Sequence, residues 1–219
     1  MDCELLNLSS HSEGYFESNR EAMLRYIPDG VRKTLEFGCG TGLFSALLKE
    51  KLSTESWGVE IDHDAAQKAA QKLDKVIEED AMTSLAKIPD RYFDCAIFFD
   101  VLEHLVDPYT LLVSVKQKLT DDAVVIASIP NIRYYRTLYA LVVRGDWKYR
   151  DSGVLDKTHL RFFTKKSIAR TFDQLGFDIV TLEGMHPTSS RTFRILNVLL
   201  LNCLSDVRYK HFAVVARPK

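Results

Sequence analysis

The chain has 219 residues, enough for one α/β domain with a full core. Its 29 Lys and Arg against 30 Asp and Glu leave a net charge of −1, so the overall charge makes no case for a nucleic-acid partner. Four scattered cysteines (Cys3, Cys39, Cys95, Cys203) without a C-x-x-C pair argue against a zinc site or a disulfide framework and fit a reducing, cytoplasmic setting.

The start, Met1-Asp2-Cys3-Glu4, is acidic and lacks a signal-peptide core, and no apolar run is long enough to span a bilayer. Residues 1–30 read as an N-terminal extension with a helical stretch over 17–26, closed by the turn Pro28-Asp29-Gly30. Beyond it, strand and helix patterns alternate. Strands are predicted at 33–37, 56–61, 75–78, 93–99, 123–129, 178–184 and 209–216. Helices are predicted at 43–51, 63–73, 82–86, 108–119 and 165–175. Such alternation builds parallel strands covered by helices, and open sheets of this kind hold ligands at the carboxyl ends of their strands. Two insertions interrupt the pattern. One, at 130–163, is rich in Arg and Tyr; the other, at 185–206, carries an apolar run from Ile195 to Leu204. That run reads as a helix packed on the body or in a dimer interface, ahead of a lipid-binding face.

The stretch Glu36-Phe37-Gly38-Cys39-Gly40-Thr41-Gly42 joins the first predicted strand to the first predicted helix. Glycine permits positive φ and close backbone approach, and a helix N-terminus presents free N–H groups. A dinucleotide fingerprint needs Gly-x-Gly-x-x-Gly; counted from Gly38, its last glycine would fall on Leu43. The acid-x-Gly-x-Gly-x-Gly pattern instead resembles motif I of class I S-adenosylmethionine (SAM) methyltransferases. The resemblance covers about residues 30–130. It implies one Rossmann-like α/β domain over 1–219, with a seven-stranded, mostly parallel sheet, a terminal antiparallel hairpin and helices on both faces. It also implies SAM as cofactor and S-adenosylhomocysteine as product. Glu36, Gly38, Gly40 and Gly42 would then form the cofactor turn, with the acid suited to the cationic end of SAM.

Glu60 lies about twenty residues past that turn, where an acid can accept hydrogen bonds from both ribose hydroxyls; the alternative is a helix cap or a solvated carboxylate. Ile61 flanks it, and Asp62 is the better helix cap. In the resembling family an acid after the third strand meets the adenine amino group; here that is Asp80, with the Ala81 backbone beside it, or else Asp80 caps a loop. Phe99 and Asp100 should line the methionine end. Tyr15, Phe16 and Arg20 could cover the cofactor from the extension, Arg20 pairing with its carboxylate, or could lie on the surface.

The exit of the fourth strand, Asp100-Val101-Leu102-Glu103-His104-Leu105-Val106-Asp107-Pro108, resembles a segment of SAM enzymes that act on small molecules and quinones. Nucleic-acid N-methyltransferases carry an Asn/Asp-Pro-Pro-aromatic motif there, which this chain lacks. The insertion resembles that of a bacterial methyltransferase subgroup associated with sugar, O-antigen and surface-polysaccharide biosynthesis. The matching pieces are Asn131-Ile132-Arg133 and Leu155-Asp156-Lys157-Thr158-His159-Leu160-Arg161-Phe162-Phe163-Thr164. Because it follows strand five, 130–163 should cover the active-site edge as a substrate lid. Tyr134, Tyr135, Tyr139 and Trp147 offer flat faces for stacking. Arg133, Tyr134, Arg136 and Arg161 are the candidate substrate residues, the arginines as a clamp on a phosphate or carboxylate. An apolar aromatic cover with solvated arginines is the plainer alternative.

The methyl sulfonium is already activated, so the enzyme must align a nucleophile and exclude water. Oxygen and nitrogen acceptors usually need a base, which His suits near neutral pH. His159 is the first candidate, with Asp156 three residues upstream to orient it; a structural His bonded to backbone is the alternative. His104 is second, with helix packing or capping as its alternative. No clustered His, Asp or Glu set shows metal-ligand spacing, so no metal is expected. These residues point first to methyl transfer onto a hydroxyl of a sugar or of a nucleotide- or lipid-linked glycan. A quinone, lipid or natural-product methyltransferase is the alternative, and a non-catalytic SAM-binding regulatory protein is the reading from another class. Sheet-edge and helix surfaces could support a homodimer.

Overall fold

Seven strands form one sheet in the order β3-β2-β1-β4-β5-β7-β6. This computed structural model describes residues 22–190, 193, 197, 198 and 201–219. Strands β1 (Lys33–Phe37), β2 (Glu55–Glu60), β3 (Lys75–Glu78), β4 (Phe93–Phe99) and β5 (Leu119–Pro130) pair in parallel. Strand β7 (Tyr209–Pro218) runs antiparallel to both β5 and β6 (Phe177–Pro187). The expected mostly parallel sheet with a terminal hairpin is therefore the observed one.

Strands buried on both faces need side chains that are apolar in both directions. In β4, Phe93 and the run Cys95 to Phe98 are all fully buried. One core layer joins Leu35, Phe37, Phe98, Phe172 and Phe212; the opposite layer joins Phe44, Leu48, Ile97 and Val215. Phe37 and Phe98, neighbours across β1 and β4, stack with centroids 4.8 Å apart. The helices are α1 (Leu43–Leu52), α2 (His63–Ala70), α3 (Ala81–Ser84), α4 (Pro108–Val115), α5 (Tyr135–Val143) and α6 (Lys165–Gln174). Their starts are written locally. Asp62 accepts the Ala65 N–H, Asp107 accepts those of Tyr109 and Thr110 ahead of Pro108, and Thr164 forms a capping box with Ser167.

Several boundaries differ from expectation; β5 starts at Leu119 rather than 123 and β6 runs to Pro187 rather than 184. The helix predicted at 108–119 ends at Val115, because Leu119 is taken by β5 to pair with Phe93. The helix predicted at 63–73 ends at Ala70, and Ile61, assigned above to strand two, lies beyond Glu60 at the strand's exit. The insertion contains α5, whose aromatic and β-branched residues have modest helix propensity and do not announce a helix. Tyr15, Phe16 and Arg20 lie outside the described residues, as do Ile195, Leu196, Leu199 and Leu200 of the apolar run. Among the described residues no helix is long and apolar enough to cross a membrane.

Candidate active site

The carboxyl ends of β1, β2 and β4 meet at the glycine turn. Gly38, Gly40 and Gly42 all have positive φ, at 63°, 55° and 74°. At Gly38 an added Cβ would lie 2.6 Å from Cγ2 of Val101, so the turn presses directly on the exit of β4. The Cys39 N–H donates to the Val59 carbonyl at 3.1 Å, and Gly42 N–H closes onto Cys39 at 2.9 Å. Glu36 lies beneath the turn, 1% exposed, and accepts the Ser45 hydroxyl at 2.6 Å. Its carboxylate thus ties β1 to the first turn of α1.

Glu60 accepts three backbone N–H groups: Gly40 at 2.7 Å, Ile61 at 2.9 Å and Asp62 at 3.0 Å. These donors fix a half-buried carboxylate across the mouth of the turn. Replacing it with alanine is expected to weaken SAM binding by about 1–3 kcal/mol, since hydrogen bonds to a charged group carry that much. Calorimetric titration of Glu60→Ala checks this, and an unchanged affinity would remove Glu60 from the ribose site. Ile61 is 64% exposed beside it. Asp80 caps α3, accepting the Met82 and Thr83 N–H groups at 2.9 and 3.1 Å. The Thr83 hydroxyl, then these N–H groups, hold its carboxyl below the usual carboxylate range. Ala81 follows it, half-buried. Phe99 meets Phe44 edge-on at 4.7 Å. Asp100 has a φ of 54° and accepts the Ser128 hydroxyl at 2.9 Å, which holds the exit of β4 against β5.

One turn beyond Asp100, the fold assembles groups that are far apart in the chain. A 3-10 turn (Leu102–His104) carries Glu103 and His104. The backbone N–H groups of Leu160 and Arg161 both donate to the Glu103 carbonyl, docking the end of the insertion against that turn. The rings of His104 and His159 meet edge-on at 4.7 Å. Thr158 donates its hydroxyl to Asp156 at 2.7 Å. That hydroxyl has one proton, so toward His104 Nδ1, 3.0 Å away, it accepts. The Thr158 carbonyl, 3.3 Å from the same nitrogen, can only accept as well. His104 therefore carries its proton on Nδ1 and its lone pair on Nε2. Asp156, expected to orient His159, reaches His104 through Thr158, while His159 Nδ1 faces the Val154 carbonyl at 3.2 Å.

His159 is 8% exposed, and burial, with His104 next, holds it below the usual imidazole range. Glu103 is 1% exposed, neither carboxyl oxygen has a hydrogen-bond partner, and burial pushes it well above the usual carboxylate range. The 3.9 Å between His159 Nε2 and Glu103 Oε1 is thus no ordinary ion pair: both groups shift toward neutrality, and the distance exceeds a hydrogen bond.

His211 on β7 had no motif to mark it, yet its Nε2 lies 3.7 Å from Asp100. Burial is the main cause that lowers its pKa, to about 4; Lys210, His186 and His159 act in the same direction, and Asp100 opposes them. An imidazole kept neutral in the fold stabilises above its unfolded pKa of about 6.5, and that contribution is lost as pH falls from there toward 4. Across the window it amounts to about 3 kcal/mol. Urea unfolding at pH 7 and pH 4.5 should show part of this loss, and His211→Gln should flatten it; an equal slope in the variant would assign the acid sensitivity elsewhere.

The three candidate arginines are already engaged within the protein. Arg133 pairs with Asp206 at 3.0 Å, Arg161 donates to the Val106 carbonyl, and exposed Arg136 donates to the Tyr135 hydroxyl at 2.9 Å. Tyr134 and Tyr135 meet edge-on at 4.9 Å.

A glycine turn after β1, an acid after β2 and an acid capping the helix after β3 thus lie at the carboxyl-end edge of a Rossmann-like sheet. Residues 10–182 match a family described as Methyltransferase domain, so the chain belongs to that family. It is an enzyme of the methyltransferase class, with SAM as its cofactor. Among solved structures, a SAM-dependent methyltransferase from Archaeoglobus fulgidus superposes with a TM-score of 0.71 at 24% identity, covering 92% of this chain and 93% of that one. One from Thermotoga maritima gives 0.66 at 19% identity, covering 93% and 89%. A ubiquinone biosynthesis O-methyltransferase of Cereibacter sphaeroides is 26% identical over 194 residues, 84% of this chain and 74% of that protein.

Proposed function

We propose that the enzyme transfers the SAM methyl group to a hydroxyl of a small-molecule acceptor, a sugar or a nucleotide- or lipid-linked glycan, activated at the Glu103–His104–His159 cluster. The observation that carries the hydroxyl assignment is the Asp156–Thr158–His104 relay. A hydroxyl must lose its proton as it attacks, and a ring whose Nδ1–H is anchored presents Nε2 as the basic nitrogen. The relay sits just past Val101, which packs on the cofactor turn, so the acceptor oxygen and the sulfonium can share one cleft. The cofactor is held by the glycine turn, by Glu60 at the ribose and by Asp80 with Ala81 at the adenine. Residues 130–163 cover the acceptor, with Tyr134 and Tyr135 as stacking faces and Arg136 as an exposed cation.

A quinone or phenolic acceptor is the second reading. The relative named for ubiquinone biosynthesis favours it, and so do the exposed apolar residues of α5, Tyr139, Leu141, Val142 and Val143. A coupled S-adenosylhomocysteine-release assay over nucleotide sugars, saccharides and quinone precursors separates the two. Turnover on phosphorylated sugars supports the first reading; turnover confined to apolar phenols transfers the function to the second. SAM binding with no turnover on any of them would favour a non-catalytic SAM-binding role.

A further inference from the structure

We infer that Glu103, His104 and His159 form a divalent transition-metal site that binds and activates the acceptor hydroxyl. The inference deepens the reading of a hydroxyl acceptor and rests on it for its chemistry, but the binding site stands on geometry alone. One ligand atom from each of the three residues lies within 4.8 Å of the other two. The Glu103 carboxylate is buried without a hydrogen-bond partner on either oxygen. A carboxylate held this way is costly unless something of opposite charge meets it.

The histidine tautomers point the same way. His159 directs Nδ1–H to the Val154 carbonyl and so turns its Nε2 lone pair toward Glu103, 3.9 Å away. A cation between these two atoms would displace the carboxyl proton and bind both lone pairs at once. His104 is likewise anchored through Nδ1, by Thr158, which is in turn held by Asp156. Anchoring one ring nitrogen on an oxygen while the other keeps its lone pair is the usual support of a metal-binding histidine. Metal–nitrogen and metal–oxygen distances near 2.1 Å set ligand atoms roughly 3.4 Å apart, so side-chain rotations of about an ångström would close the set.

Two imidazoles and one carboxylate suit Mn²⁺, Fe²⁺, Co²⁺ or Zn²⁺ better than Mg²⁺ or Ca²⁺, and three protein ligands leave positions open for an acceptor. A vicinal diol or catechol would fill two of them. A bound hydroxyl ionises more readily and releases its proton to solvent water. The alkoxide oxygen then forms a bond to the SAM methyl carbon as the carbon–sulfur bond breaks, its electron pair remaining on the sulfur of S-adenosylhomocysteine. With the cation bound, the histidines are ligands and the metal replaces His104 as the activating group.

The test titrates EDTA-stripped protein with Co²⁺, reading visible absorption and bound metal per chain without any acceptor present. We expect one equivalent per chain, with at least a tenfold loss of affinity in Glu103→Gln and in His159→Ala. Thermal melts provide the second readout. Without metal, Glu103→Gln should melt close to wild type, because a neutral amide replaces a neutral carboxyl of the same shape; saturating Co²⁺ should raise the wild-type midpoint and leave the variant unmoved. No stoichiometric uptake, or uptake undiminished in both variants, would overturn the site. Metal uptake together with turnover only on non-hydroxyl acceptors would instead overturn the acceptor reading and leave the site standing.

Discussion

Gly40→Arg is expected to abolish SAM binding while leaving the fold in place. Gly40 has a φ of 55°, in the left-handed region that a side chain with a Cβ enters at a cost of about 1 kcal/mol. Its N–H also holds Glu60 at 2.7 Å, so a shifted backbone would release the acid assigned to the ribose. The larger effect is steric, because a guanidinium stem at the centre of the glycine turn would occupy the space the cofactor needs against the backbone. A loss of at least 100-fold, about 3 kcal/mol, should leave no measurable heat in a calorimetric titration that saturates wild type. Far-UV circular dichroism should be unchanged. Near-normal affinity would mean that the cofactor does not lie against this turn.

His104→Ala is expected to lower kcat by about 10²–10⁴ with SAM affinity within threefold of wild type, the range general-base catalysis contributes. The separation follows from position: His104 is held by Thr158 and the insertion, whereas the residues proposed to hold the cofactor are the glycine turn, Glu60 and Asp80. Thr158→Val keeps the shape but breaks the relay, and should fall between wild type and His104→Ala. Rapid-quench turnover with a productive acceptor measures both. If His104→Ala turns over at the wild-type rate, the cluster has no part in the reaction and the acceptor site must lie elsewhere on the edge.

The residues proposed for the cofactor could be named from the sequence because they are consecutive or sit at fixed distances from a strand end. Glu36 to Gly42 is one turn, and Glu60 and Asp80 each follow a strand that the hydrophobic pattern locates. Local chemistry also marked the helix start at Asp62. The acceptor half was harder to read. His104 and His159 were named as separate candidates, and Asp156 as a partner of His159. Nothing in their spacing shows that Thr158 would turn Asp156 toward His104. Glu103 stood in the same segment with nothing beside it in sequence to show that it would become a buried carboxyl without a hydrogen-bond partner. His211, alone on the last strand, had no neighbours in sequence to suggest that it approaches Asp100.

By itself the sequence located the first five strands along the chain, the glycine turn and the acids that follow it, because these depend on periodicity and on contacts within a few residues; the strand order β3-β2-β1-β4-β5 came from the fold. Only the tertiary structure decided that 55 residues separate two rings in edge-on contact, His104 and His159. It alone also engaged Arg133 with Asp206 and shut Glu103 away from water. The physical reason is that burial and lone-pair direction arise from everything packed around a group. For this cluster, that surrounding is β4, β5 and the returning insertion, brought together by the sheet rather than by any local run of residues.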